Sequence, residues 1–469
     1  MPSCELFRKA EVGETPAPDN EELEAVPGKK IYDPETGQLV IVEETPTEAM
    51  DTIKWKNIPT DSIPPIQSQM AENEEDTNGN PSELISRGDY GTEFYTAYDV
   101  AIMLPFLSDR FNENSSEIYD NSAWALNFYG GMKMAMDELN DEGVKLNVTV
   151  MDSKANERAV GDLLSTRTEL FNAHLIMGPY RKDNVELVAD FAKRNNITYV
   201  SPHSAASGIS VNNPNYIQVS PTLASHCQAI TQHVRKSYKP QQVVLVARDK
   251  PAEKARFNYF QEENFRIERA RHDSLRFQEY LVKDDDNNYS SMKLGQFIRP
   301  GETTVFIVPS WSNETFIYSF LAYAKIAKGM NSEIVVYGMP QWTEYDRIDF
   351  ELYETLNVHI SSDTYLDLYD TNIQFFRQRF FDRYGLPPSE ESFIGYDVMK
   401  YFGRMLHKHG TKFQYYLEQD PEKSLHTQFS FERVARATTT GVENAPIERF
   451  ENKFVYILKF DDYQFQPAE

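Results

Sequence analysis

HLIMGPYRKDNVELVADFAKRNNITYVSP, residues 174–202, decides the architecture. It opens on a short apolar run closed by Gly178 and Pro179, continues through a helical stretch, DNVELVADFAKRNN, and ends on a second run, ITYVSP. A strand, a helix and a strand joined by loops of a few residues form the repeating unit of a parallel sheet with helices on both faces. The pattern holds upstream. VKLNVTVMD (144–152) alternates like a strand, AVGDLLSTRTELFNA (159–173) has helical spacing, and VAIMLPF (100–106) reads as a buried strand. Between them, Asn121 or Ser122 is placed to cap a helix. Its apolar residues Trp124, Phe128, Met132, Met136 and Leu139 recur at intervals of four, four, four and three, and Gly143 stops it.

Downstream the alternation starts again. SPTLASHCQAITQHVRKSY (220–238) is a helix, QQVVLVARD (241–249) a strand and RFNYFQEENFR (256–266) a helix. ETTVFIVPS (302–310), NETFIYSFLAYAKIAKG (313–329), SEIVVYGMP (332–340) and NVHISSDTY (357–365) continue it. Two helices follow, TNIQFFRQRFFDRYG (371–385) and FIGYDVMKYFGRMLHKHG (393–410), then RFENKFVYILKFDDYQF (449–465) as one or two terminal strands. The fold class is therefore α/β: two doubly wound parallel-sheet lobes of similar size.

The 469 residues, 40% hydrophobic and 25% charged, have the composition of a globular chain. The net charge is −25, from 72 acidic against 47 basic residues, and no basic stripe offsets it, so nucleic acid is not expected as a partner. No run approaches the ~20 apolar residues that cross a bilayer. The acid is unevenly spread. Residues 1–90 hold 20 acidic and 7 basic residues, hence −13, and 10 of the 25 prolines. Such a segment reads as an extended, solvated tether. Within it, KIYDPETGQLVIV (30–42) suggests a small hairpin, and IKWKNIPTDSIPPI (53–66) carries Trp55 and several isoleucines that suit docking on the body.

Two cysteines exclude a disulfide scaffold and a CxxC site. Cys227 lies at helical spacing among apolar residues and reads as a buried hydrophobe. Cys4, after Met-Pro-Ser and ahead of the tether, resembles the lipidated start of a mature bacterial lipoprotein; a signal segment is not seen ahead of it. Catalytic motifs are missing: there is no G-x-S-x-G, P-loop, H-E-x-x-H or G-x-G-x-x-G. Ser201 and His203 are close in sequence, but a triad needs an orienting acid. His407 and His409, two apart on a helix, face different sides and make a poor metal pair. No enzyme activity, cofactor or metal is expected.

MGPYRKDNVELVADFAKRNNITYVSPHSAA (177–206), NYIQVSPT (215–222) and FFRQRFFDRYGLPPSEESFIGYDVM (375–399) resemble the type 1 periplasmic-binding fold, including leucine/isoleucine/valine receptors. AIMLPFLSDRF (101–111) also resembles lipoprotein activators of peptidoglycan synthases, although the glycine of their usual opening is absent. The resemblance implies a three-stranded hinge with crossovers near Val219–Thr222, Ser361–Tyr365 and somewhere after Gly410. It divides the chain into a tether (1–90), lobe one (96–220 plus 365–425) and lobe two (221–362 plus 426–469). Hormone-receptor ectodomains share this fold, but they usually carry several disulfides, and two cysteines argue against one here.

Ligands of open parallel sheets sit beyond the carboxyl ends of the strands. The loops there give Ser108, Tyr180, Arg181, Ser201, His203 and Ser204 from lobe one. Asp249, Ser310, Trp311, Gln341 and Trp342 come from lobe two. Tyr180, Trp311 and Trp342 are suited to stacking on a ring or sugar and Arg181 to pairing an anion, or all four to packing and solvation alone. Ala205 stands where the amino-acid receptors place a threonine, and neutral Gln341 where they place an acid, which argues against an ordinary α-amino acid. The reading is a noncatalytic, extracytoplasmic lipoprotein, periplasmic or on the outer membrane, that binds a small solute for an ABC transporter or for sensing. Its membrane contact would be the lipid on Cys4 alone, and a homodimer is compatible with the fold. The alternative is a ligand-free scaffold that binds an envelope protein such as a peptidoglycan synthase.

Overall fold

In the computed structural model, the described residues are 28–33, 38–43, 91–110, 120–271, 275–283, 289–330, 332–345, 347–435 and 446–468. Cys4 and the 53–66 segment lie outside them. Two seven-stranded sheets make the body. The first has the order β15-β16-β7-β6-β5-β3-β4, from β3 (Tyr98–Leu104), β4 (Leu146–Asp152), β5 (Leu175–Met177), β6 (Thr198–Ser201), β7 (Tyr216–Gln218), β15 (Phe431–Ala435) and β16 (Ile447–Asn452). The second has the order β18-β17-β12-β11-β10-β8-β9, from β8 (Val243–Arg248), β9 (Gln278–Val282), β10 (Thr303–Ile307), β11 (Glu333–Gly338), β12 (Val358–Ser362), β17 (Tyr456–Asp461) and β18 (Gln464–Pro467). Each sheet is parallel at its centre, with antiparallel strands added at one edge.

Strand composition follows position. Central β8, VVLVAR, is buried along almost its whole length because helices cover both faces. Edge strand β4, LNVTVMD, leaves most of its length half-buried or exposed. In β3 the two faces separate cleanly. Val100, Ile102 and Leu104 enter the core shared with α1 (Asp120–Asp141) and the late helices, while Ala101 and Met103 enter the opposite core, with Val185 and Val188 of α3 (Lys182–Asn195). The second lobe has one continuous core around β8, β10 and β11.

The predicted hairpin is present: β1 (Gly28–Asp33) and β2 (Gln38–Glu43) pair antiparallel from Gly28↔Glu43 to Asp33↔Gln38. β1 lies beside the turn Pro340–Glu344 of the second lobe. Among the described residues no helix is long and apolar enough to cross a membrane.

The domain division needs one correction. Residues 426–469 do not all belong to lobe two, because β15 and β16 extend the first sheet, with Phe450↔Ile217 and Glu451↔Gln218 in parallel register. Residues 449–465 read in the sequence as one or two terminal strands; the chain forms β16, β17 and β18 there, and Asn452 ends the first. Its side-chain oxygen accepts from the Ser430 and Phe454 amides at 2.9 and 3.3 Å, which turns the chain out of one sheet and into the other. The third crossover is therefore 453–455.

One helix contact positions the cleft. The long helix Glu390–His409 (α9) crosses α1 so closely that a Cβ at Gly131 would stand 1.9 Å from the Ser392 carbonyl oxygen. A Cβ at Gly395 would stand 2.0 Å from that of Phe128. Only glycine permits this approach. It sets the first turn of α9, with Glu390 and Glu391, beside Trp124 of α1.

Candidate functional site

The three crossovers frame a cleft between the lobes. Two cavities of about 420 and 410 Å³ occupy it and share Pro221, Glu344, Asp363, Thr364 and Glu390. Trp124, Tyr180, His203 and Glu391 line the first; Ala205, His226, Gln341 and Tyr365 line the second. Residues of both lobes meet there: Glu344 and Asp363 come from the second sheet's loops, and the aromatic wall from the first lobe.

Local geometry explains each placement. Gly178, at φ +78, lies where a Cβ would be 2.2 Å from the Met103 carbonyl oxygen, so the chain turns tightly after β5 and delivers Tyr180 to the cleft. Tyr180 meets Trp124 edge-on at 4.8 Å, and Trp124 meets His203 at 5.1 Å. His203 Nε2 lies 3.0 Å from Glu391 Oε2. Burial raises the Tyr180 hydroxyl above its ordinary range, so it is a neutral phenol here. The second crossover is tied to the loop before β14 (Gln428–Phe429): the Tyr365 amide donates to the His426 carbonyl at 2.7 Å, and the Thr427 hydroxyl to the Asp363 carbonyl at 2.7 Å. That loop is itself held by Asp397 of α9, whose Oδ2 accepts from the His426 amide at 2.9 Å and lies 2.5 Å from its Nδ1. Asp397 thus ties the late helix to the hinge.

The proton affinities of His226 and Asp363 in the cleft are shifted as well. Burial lowers the His226 imidazole to about 4, so it is neutral at neutral pH. It is 4% exposed, and its Nδ1 has no hydrogen-bond partner among the described residues. Burial, together with the neighbouring Glu390 charge, pushes the Asp363 carboxyl up, against the opposing pull of His426 and His203.

Of the residues expected from the sequence, Tyr180, His203 and Gln341 line the cleft. The others need correction. Trp311 and Trp342 are both 0% exposed, sealed inside lobe two. Trp342 Nε1 donates to the Ser310 carbonyl at 2.7 Å, and the Trp311 ring carries the Arg256 guanidinium 3.5 Å from its centroid. An indole buried with its N–H satisfied has no free face for a ligand. Ser310, Ser201 and Ser204 are fully buried and line neither cavity. Arg181 turns away: its Nη1 donates to the Ala155 carbonyl at 2.8 Å, in a separate hollow of about 310 Å³. Ser108 is held by Asp152, through its amide and hydroxyl, both at 2.8 Å, and Asp249 is exposed at the end of β8; neither lines the cleft.

Sequence reasoning missed Trp124, His226, Glu344, Asp363, Glu390, Glu391 and His426. Trp124 looked like one more member of an apolar stripe. The acidic residues sit in separate loops and in the first turn of a late helix, and no short motif joins them.

A larger cavity, about 780 Å³, lies between α9, the helix Thr371–Tyr384 and the terminal strands. Three of its four cations are already matched. Arg379 and Lys400 bond Glu138, and Arg404 bonds Glu142 at 2.6 Å and Glu422 at 3.3 Å. The cleft is the better candidate, since it lies at the carboxyl ends of strands and is built by both lobes.

Two doubly wound lobes joined by three crossovers around a cleft define a type 1 periplasmic-binding fold. The chain belongs to the family described as the receptor family ligand binding region, which matches residues 128–439. It is similar in fold to a putative branched-chain amino acid ABC transporter protein of Rhodospirillum rubrum, at 11% identity and TM-score 0.54, over 79% of this chain and 100% of that one. An ABC transporter substrate-binding protein of Desulfitobacterium hafniense aligns at 14% identity and TM-score 0.53, with the same coverage. LpoA of Haemophilus influenzae aligns at 13% identity and TM-score 0.51, over 80% of this chain and 60% of that one. Comparison with curated proteins finds no match.

Proposed function

We propose that this chain is a noncatalytic, extracytoplasmic binding protein that captures a small solute between its lobes, for delivery to an ABC transporter or for sensing. One observation carries the reading: both lobes line adjoining cavities of about 420 and 410 Å³ at the crossovers, where hinge closure would bury a ligand. Tyr180, His203 and Gln341 are its contacts from the sequence reading, joined by Trp124 and the acidic side chains. Membership of a ligand-binding receptor family supports it. In this reading Cys4 carries a lipid and the acidic segment lets the anchored body reach across the envelope space.

The likeness to LpoA supports a second reading, a scaffold that binds an envelope protein. Thermal melting of the full chain against amino acids, peptides, sugars, amines and nucleosides separates the two. A solute at 100 times its Kd adds ~2.7 kcal/mol, which raises the melting temperature by ~2–4 °C in a protein of this size. A shift that Tyr180→Ala abolishes supports capture. A flat panel after refolding from denaturant, with a protein partner retained on the folded chain, supports the scaffold.

A further inference from the structure

We infer that the cleft takes an organic cation, a ligand with one or more ammonium groups and no carboxylate. The inference rests on the solute-capture reading and names its ligand class. Four acidic side chains, Glu344, Asp363, Glu390 and Glu391, line the two cavities, and among the described residues no lysine or arginine lines either one. Arg181, the cation that the sequence offered to an anionic ligand, donates to the Ala155 carbonyl outside the cleft. Lys453, at the third crossover, is held by Glu451 at 2.8 Å. A carboxylate entering this space would meet these acidic side chains with no lysine or arginine among the described residues to receive it, and burying it would be costly.

Two independent features point to the same ligand. His226 lines the second cavity, is 4% exposed and leaves Nδ1 without a partner among the described residues. A buried polar atom in that position normally has a partner, and an ammonium N–H supplies one to a neutral imidazole. At the other end Trp124, Tyr180 and His203 form an aromatic wall, with ring centres 4.8 and 5.1 Å apart. Aromatic faces beside carboxylates are the usual surroundings of a desolvated organic ammonium. Crowding of acid in the cleft agrees: the raised Asp363 carboxyl reports burial and the Glu390 charge, which a bound cation would offset.

A bare metal ion fits less well. Among the described residues no group of three or more acidic, histidine or cysteine side chains converges closely enough to hold one. The carboxylates are spread along two cavities, which suits a ligand with length, such as a short polyamine, or one bulky ammonium against the aromatic wall.

Isothermal titration calorimetry of the full chain tests this, with spermidine, choline, leucine, glutamate and maltose as probes. About 0.15 M salt screens exposed charges beyond ~8 Å. The expected result is one-to-one binding of spermidine or choline. Glu390→Gln/Glu391→Gln should weaken it by ~tenfold or more, about 1.4 kcal/mol. His226→Leu should weaken it as well, and Arg181→Ala should leave it unchanged, with folding of each variant checked by circular dichroism. Binding of leucine, glutamate or maltose without the cations would overturn the charge assignment and leave solute capture standing. No binding by any probe would overturn both. Cation binding at several sites, or binding indifferent to Glu390, Glu391 and His226, would mark attraction to the acidic surface and refute the site.

Discussion

Glu451 holds the two lobes together at the hinge, and its removal has a calculable cost. It is fully buried at the end of β16. One oxygen accepts from the Thr222 amide at 3.2 Å, the Thr222 hydroxyl at 2.7 Å, the Ser225 hydroxyl at 2.6 Å and Lys453 Nζ at 2.8 Å. The other accepts from Arg449 Nη2 at 2.6 Å. Thr222 caps the helix Leu223–Ser237, the first element beyond the first crossover, so one carboxylate ties crossovers one and three. Burial alone would raise this carboxyl. The charges of Lys453 and Arg449, with hydrogen bonds from Lys453 and Ser225, outweigh it and bring the group from 4.5 to about 2. At ~1.4 kcal/mol per tenfold change in proton affinity, that is roughly 3 kcal/mol of stability at neutral pH. Breaking a buried ion pair from one side costs a similar amount, about 3–5 kcal/mol.

Glu451→Gln should therefore lower the unfolding free energy by roughly 3 kcal/mol at pH 7, measured in urea by tryptophan fluorescence and circular dichroism. Because the folded carboxyl is depressed, its contribution is complete above about 4.5 and is lost as pH falls toward about 2. The gap between wild type and variant should close over that interval. A variant within ~0.5 kcal/mol of wild type at pH 7, the size of an ordinary surface substitution, would refute the reasoning, as would a gap that persists at low pH.

Four further predictions concern packing and access. Gly395→Ala should destabilise by ~3 kcal/mol or more, because its Cβ would meet the Phe128 carbonyl, which is backbone and cannot swing aside. Gly161→Ala, in the helix Glu157–Thr166 with nothing within 4 Å of the added carbon, should stabilise by up to ~1 kcal/mol; urea melts of both variants check the opposite signs. Cys227, 0% exposed, should resist a thiol reagent in the native protein and react fully in denaturant. Asp397→Ala should release the His426 loop and cost about 3 kcal/mol of stability, since it leaves buried donors unpaired; equally stable protein would show that the loop is held by something else.

The sheet cores were legible in the sequence because they satisfy two simple constraints at once. β8, β10 and β11 are buried on both faces and read as continuous Val/Ile runs, while α1 shows its buried face as a periodic stripe. Elements at the margins were harder. β9, QEYLV, is a half-exposed edge strand with a weak signature. The third crossover depended on Asn452, a side-chain turn inside a segment that reads as one or two strands. The cleft was legible only as a set of loops. Sequence places Trp311 and Trp342 at the ends of strands as surely as Tyr180, but whether an indole faces the cleft or the core depends on partners far along the chain. Trp342 is buried because the Ser310 carbonyl lies within reach of its N–H and Gly338 leaves room for its ring. Conversely, Glu390 and Glu391 reach the cleft only because two glycines let α9 lie close against α1.

Native mass spectrometry of the protein isolated from its own cell envelope tests solute capture most directly. The account predicts one small molecule retained per chain, positively charged and released on unfolding, and lost from a Tyr180→Ala variant isolated in the same way. A chain that carries no small molecule under these conditions, and instead retains an envelope protein in both forms, would contradict it.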